Sequence, residues 1–172
     1  MRTVVLAAAW MAVALTAPAR AAGLLKAGDP FPAWSLKDQA GLAVSSADLA
    51  GKTYLLWFYP KAMTPGCTAE GRGLRDQIDA FRGKGVEIFG VSFDDPVANA
   101  AFAEAEGFPF RLLSDQTRQL AVQVGAAETA SAPMARRISY LVGGDGKVLR
   151  VYDTVNPASH AKDVLGALAA GS

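Results

Sequence analysis

The chain holds one cysteine and one histidine in 172 residues. A lone cysteine excludes an intramolecular disulfide and any CxxC redox pair. One cysteine and one histidine together are too few soft ligands for a Cys/His metal site, so no metal and no other cofactor is expected. An excess of charge is also lacking: 17 Lys and Arg stand against 16 Asp and Glu, a net charge of +1. Without a basic stripe to neutralise phosphates, nucleic acid is not the expected partner. There is no repeat, no low-complexity linker and no composition break that would mark a second domain. What is present is a globular composition, 51% hydrophobic and 19% charged, in a chain long enough for one domain that needs no disulfide or metal staple.

The first 22 residues read as an address. Arg2 is followed by an apolar stretch over residues 4–17, in which only Thr16 is polar, and then by the small-x-small pattern Ala19-Arg20-Ala21. This is the three-part design of a secretory signal peptide. The stretch is shorter than the roughly 20 residues that span a bilayer. The rival readings are an uncleaved anchor and a buried N-terminal helix. The expectation is cleavage near Ala21 or Ala22, leaving a domain over residues 23–172 exported to a bacterial periplasm and free of the membrane. Loss of Arg2 and Arg20 leaves 15 basic and 16 acidic residues, a charge of −1. Cysteines in that oxidising compartment usually pair, so an unpaired one demands a reason.

Along the remaining chain, residues 23–51 are loop-rich, with a short strand expected at 33–36. Residues 54–59, Tyr-Leu-Leu-Trp-Phe-Tyr, form an apolar run suited to a strand buried on both faces, with its aromatics in the core. Pro60 ends it. Thr64-Pro65-Gly66-Cys67 reads as a helix start, with Thr64 as N-cap and Pro65 at the first helical position. Leu74, Ile78 and Phe81 fall on one face of that helix, and Gly83-Lys84-Gly85 stops it. A strand at 86–91 completes a βαβ unit with a parallel pair. A helix at 97–106, a strand at 110–113, a short helix at 117–124 and a loop over 125–135 follow. Strands at 138–142 and 148–152 flank a hairpin turn, Gly143-Gly144-Asp145-Gly146. Ala161, Val164, Leu165 and Leu168 lie on one face of a closing helix. The order implies an α/β fold: one mixed central sheet with helices on its faces.

Cys67 then stands in the first turn of a helix, where free N–H groups and the positive end of the helix dipole converge. Both favour the thiolate and so create a nucleophile. The plain alternative is a cysteine that serves as a small buried hydrophobe.

The string Pro60-Lys61-Ala62-Met63-Thr64-Pro65-Gly66-Cys67 resembles the peroxidatic motif P-x-x-x-T-x-x-C of the peroxiredoxins. Extended over FYPKAMTPGCT with Gly73-Leu74-Arg75-Asp76, Leu112-Leu113-Ser114-Asp115 and Arg137-Ile138-Ser139-Tyr140-Leu141, it is similar to the peroxiredoxin Q / bacterioferritin comigratory protein subfamily. The resemblance implies a thioredoxin-like (peroxiredoxin) fold and a thiol-dependent peroxidase. It implies that Cys67 is the peroxidatic cysteine, attacking hydrogen peroxide or an organic hydroperoxide and becoming a sulfenic acid. Thr64 would orient the peroxide through its hydroxyl, and Pro60 would shield the sulfur. Arg137 would stabilise the thiolate and polarise the peroxide, while the amides of Gly66 and Cys67 would complete the substrate cradle.

Each role has a plainer rival: Thr64 as a cap alone, Pro60 as a strand terminator, Arg137 as a solvated edge residue like Arg136. Glu70 is read as helix-start electrostatics and His160 as a surface residue rather than a catalytic one. Two departures from the subfamily stand out. Where many members carry a resolving cysteine, five residues after the peroxidatic one, this chain has Arg72. The segment 125–136 is also short and lacks aromatics. The first departure implies recycling by an external thiol: a thioredoxin-like protein, a glutaredoxin or glutathione. A monomer or weak homodimer is expected. The competing function is a non-catalytic thioredoxin-fold module for redox sensing or binding.

Overall fold

The structure, a computed structural model, describes residues 23–170; the expected signal peptide lies outside the described residues. The strands are β1 (Ser35–Asp38), β2 (Ala43–Ser45), β3 (Thr53–Phe58), β4 (Val86–Ser92), β5 (Arg111–Ser114), β6 (Ile138–Val142) and β7 (Val148–Tyr152). They form one sheet in the order β2-β1-β5-β4-β3-β6-β7. β3 runs parallel to β4, and β4 parallel to β5. β6 and β7 add antiparallel on one side, β1 and β2 on the other. The helices are α1 (Pro65–Asp76), α2 (Ile78–Gly83), α3 (Pro96–Glu106), α4 (Gln119–Gln123) and α5 (His160–Ala170), with a 3₁₀ turn at Ser46–Leu49.

β3 is the centre of the molecule because its side chains are apolar on both faces. Tyr54, Leu56 and Phe58 enter one cluster, with residues of β4 and α4; Leu55, Trp57 and Tyr59 enter the other, with residues of α1, α2, α3 and α5. This alternation, with both sides covered, is the expected behaviour of a strand inside an α/β sheet. The mixed sheet with helices on both faces agrees with the sequence reading.

Three local readings need correction. The helix expected to run from residue 65 to 83 is two helices, broken at Gln77 (φ −108°, ψ 11°). No glycine or proline marks the break. Before the break α1 is tied to α3: Arg75 Nη1 donates to the Glu106 carbonyl at 2.6 Å, and Arg72 Nε donates to the Glu106 carboxylate at 2.6 Å. The strand expected at 33–36 is shifted to β1. The loop-rich segment after it also contains β2, because the Asp38 carboxylate accepts from the Ala40 and Leu42 amides, each at 2.9 Å, and turns the chain back.

α1 lies very close to the sheet. A Cβ at Gly71 would fall 2.4 Å from Phe108 Cζ and 3.0 Å from Trp57 Cη2, so only glycine fits there. This close approach sets the depth at which the first turn of α1, and with it Cys67, meets the sheet.

Candidate active site

The link from β3 to α1 is a taut loop. The Tyr59 amide donates to the Val91 carbonyl at 3.0 Å, extending the β3–β4 ladder by one residue before Pro60. The Ala62 amide donates to Asp94 Oδ2 at 2.9 Å, which ties the loop to the end of β4. Met63 adopts φ +61°, a left-handed conformation unfavourable for a non-glycine residue and found where surrounding contacts enforce it. Asp94 and the strained residue deliver Thr64 to the head of α1.

Thr64 occupies the N-cap position with extended backbone, and Pro65 follows it in the first turn. Its hydroxyl does not cap the helix, however; Oγ1 donates to the Lys61 carbonyl at 2.9 Å. A hydroxyl that donates there keeps its lone pairs to accept from a further donor. The first helical hydrogen bond runs from the Thr68 amide to the Thr64 carbonyl, at 2.9 Å. The amides of Gly66 and Cys67 precede it, in the turn where a helix leaves its N–H groups free.

Cys67 is fully buried, and its sulfur is not walled in by hydrocarbon alone. Arg137, immediately before β6, places Nη2 at 3.5 Å from Sγ. Of the two adjacent arginines, it is therefore Arg137 that the structure places beside the sulfur. Arg136 is exposed, with Nη1 donating to the Gly125 carbonyl at 3.2 Å. Gly66 leaves the room that Arg137 uses: a Cβ there would lie 3.1 Å from Nη2. Pro60 is partly buried at the end of the strand. The structure thus gathers Thr64, Gly66, Cys67 and Arg137 around one helix terminus, with Pro60 following the strand that leads to it. Arg72, at the position where the subfamily carries a resolving cysteine, is instead ion-paired with Glu106 on α3.

Two residues read as peripheral are central. Glu70 is completely buried, and its Oε2 accepts from Arg137 Nη1 in a short charge-assisted contact. Burial raises its carboxyl above the ordinary range; the Trp57 indole facing it, together with the charge and hydrogen bond of Arg137, pulls back against that. The same pair acts on Arg137. Burial opposes its charge, but Glu70 and then the Cys67 sulfur outweigh it, and the guanidinium is held more firmly protonated than usual. The sign that Glu70 faces inward was in the spacing: Cys67, Glu70, Gly71 and Leu74, the buried residues of α1, recur as i, i+3, i+4, i+7.

His160, expected at the surface, is 1% exposed at the start of α5. Its Nε2 lies 2.8 Å from Ser139 Oγ and 3.8 Å from Glu70 Oε1. Burial lowers its pKa from 6.5 to about 4; Asp163 opposes the shift and Arg137 adds to it. Between these two values the unfolded chain takes up a proton that the folded one refuses, so the contribution of His160 to stability is complete above pH 6.5 and is lost as pH falls towards 4. Urea unfolding across this range is expected to show that decline, and His160→Leu to flatten it.

The profile of the AhpC/TSA family matches residues 27–151. The chain belongs to the AhpC/TSA family. This AhpC/TSA protein is 42% identical over 146 residues to Peroxiredoxin Bcp of Escherichia coli K12, a match covering 82% of this chain and 94% of that protein. It is 33% identical over 139 residues to the chloroplastic Peroxiredoxin Q of Populus jackii, covering 80% and 65% of the two chains. Among solved structures, the peroxidoxin BcpB of Mycobacterium tuberculosis superposes with a TM-score of 0.79 at 33% identity, over 85% of this chain and 97% of that one. The bacterioferritin comigratory protein of Xanthomonas campestris, described for alkyl peroxide reduction, superposes at 0.76 with 29% identity, over 86% and 97%. The thioredoxin-like peroxiredoxin fold expected from the motif is therefore the fold of this AhpC/TSA protein.

Proposed function

We propose that this protein is a thiol-dependent peroxidase that works through Cys67 alone. The observation that carries this reading is the guanidinium of Arg137 at 3.5 Å from the sulfur, in the free first turn of α1. A thiolate there is held by one formal positive charge and by helix amides. The sulfur attacks the distal oxygen of a hydroperoxide. The S–O bond forms, the O–O bond breaks, and the alkoxide or hydroxide leaves and takes up a proton from water. Sulfur is oxidised by two electrons to the sulfenic acid, and the peroxide is reduced. Arg137 meets the negative charge on the peroxide oxygens as the bond breaks. The Gly66 and Cys67 amides and the Thr64 hydroxyl bind the oxidant, and Pro60 limits water.

Recycling consumes two external thiols per peroxide. The first attacks the sulfenic sulfur and expels water; the second attacks the mixed disulfide and releases Cys67. With Arg72 in place of a second cysteine, no internal thiol competes. The reductant class is a thioredoxin-like protein, a glutaredoxin or glutathione. We place the protein in a bacterial periplasm after cleavage near Ala21 or Ala22, acting as a monomer or weak homodimer.

Treatment with peroxide in the absence of thiol is expected to yield sulfenic or over-oxidised Cys67, detected by mass spectrometry, with the chain remaining a monomer on a non-reducing gel. A covalent dimer through Cys67 would show resolution between two chains instead. Unmodified Cys67 under excess peroxide would remove the peroxidase reading and leave the sensing or binding module.

A further inference from the structure

A chain of four side chains ends at the sulfur. Cys67 Sγ meets Arg137 Nη2, Arg137 Nη1 meets Glu70 Oε2, and Glu70 Oε1 faces His160 Nε2, which is bonded to Ser139 Oγ. Arg137 and Ser139 are two residues apart at the start of β6, so they project from the same face of the sheet. Glu70 comes from α1 and His160 from the head of α5. Three separate elements thus close around one buried carboxylate.

Glu70 Oε1 is buried and has no hydrogen-bond partner. A buried carboxylate hydrogen-bonded through one oxygen depends on its packed neighbours to fix its rotation, and the guanidinium it holds follows that rotation. Two groups stand against it: the Trp57 indole, whose Nε1 is likewise buried without a hydrogen bond, and the imidazole, itself pinned by Ser139 and by the edge-on Tyr152 ring at 5.4 Å. We propose that His160 is a positioning residue for Cys67: its ring fixes the orientation of Glu70 and thereby holds Arg137 against the sulfur. The proposal rests on the peroxidase reading for what the sulfur does, and on geometry alone for how it is held.

A neutral imidazole suits this task. It presents a dipole to Oε1 without adding a second charge beside Arg137. The groups facing the ring are Glu70 from α1, Ser139 and Arg137 from β6 and its approach, Tyr152 from β7 and Asp163 from its own helix. The 3.8 Å separation makes the contact with Glu70 electrostatic, and Ser139 the hydrogen-bonded anchor.

Two readouts on the full domain test this. One is the alkylation rate of Cys67 by iodoacetamide as a function of pH, which reports the thiolate without peroxide; the other is peroxide consumption with an added thiol. His160→Leu is expected to slow both by roughly tenfold at neutral pH and to move the alkylation profile to higher pH, whereas His160→Gln, which keeps a polar atom near the Nε2 position, is expected to stay within about threefold of wild type. A purely structural histidine would change the melting temperature of the Leu variant and leave the alkylation profile in place; that result overturns the proposal. If the Leu variant fails to fold, His160→Asn decides by the same profile, since its amide stops short of Glu70. Wild type that consumes no peroxide, with slowed alkylation in the variant, would end the peroxidase reading and retain the positioning role.

Discussion

Cys67→Ser is expected to fold as wild type and to lose thiol-dependent peroxide consumption by a factor of about a thousand or more, the scale on which removing a nucleophile usually registers. The substitution exchanges one small atom for another inside a packed cluster, and Arg137 and the α1 amides remain to bind oxygen. What disappears is a soft, anionic electron pair able to enter an O–O bond. A serine hydroxyl remains protonated at neutral pH even beside a guanidinium, and its oxygen does not form a sulfenic analogue. The assay is steady-state peroxide loss with saturating thiol, wild type against variant, with circular dichroism to confirm the fold. Equal rates would mean that the consumption belongs to the thiol or a contaminant, and the assignment of Cys67 would fall.

Arg137→Ala comes next in size, and its effects separate into two measurements. The peroxide rate constant is expected to fall by about a hundred- to a thousandfold, as when one preorganised donor is removed from a charge-stabilising site. Stability is expected to fall by about 3–5 kcal/mol, because Glu70 is left buried without its counter-ion. The pH dependence gives the second loss a signature. Burial already raises Glu70 above 4.5 in the folded chain, and Arg137 supplies two of the influences that restrain the rise. Without them the folded variant keeps a proton that the unfolded chain has released. Its deficit is therefore smallest at low pH, where Glu70 is protonated in both folded proteins, and grows as the pH rises through the range above 4.5 in which wild type releases that proton and the variant keeps it. Denaturant unfolding of both proteins over this range checks the sign. Arg137→Lys should recover only part of the rate, since a single ammonium cannot meet Glu70 and Cys67 with separate N–H groups. A variant matching wild type in rate would remove Arg137 from the chemistry.

Legibility from sequence divided along a physical line. Features set by neighbours in the chain were readable: the apolar run ending at Pro60, the extended residue and proline that start α1, and the turn glycines between β6 and β7. Features set by packing were not. Glu70 and His160 are charged or titratable residues buried deep in the protein, and such residues are seldom fully buried without partners. Their partners come from β6, more than 60 residues from Glu70 and 21 from His160. Periodicity did carry a trace of both, since Glu70 shares the buried face with Cys67 and Leu74, and His160 precedes Val164 by one helical step. The break at Gln77 left no such trace, because neither glycine nor proline stands at it. Thr64 was read correctly in position and incorrectly in bonding, because whether a hydroxyl turns towards its own helix or back to Lys61 depends on how the loop is drawn in by Asp94.

The sulfur of Cys67 has no accessible surface, and this sets unequal terms for the two halves of a turnover. Arg137, beside the sulfur, is only partly buried, so a small hydroperoxide is expected to need less rearrangement than a protein thiol. A thiol carried on another protein would need the whole approach cleared, as by lifting the leading turn of α1 from the sheet. Every 1.4 kcal/mol invested in holding that turn down makes the open form about ten times rarer. The contacts that keep the nucleophile poised would therefore act as a brake on its own regeneration, and reductants would be graded by size before any sulfur chemistry begins.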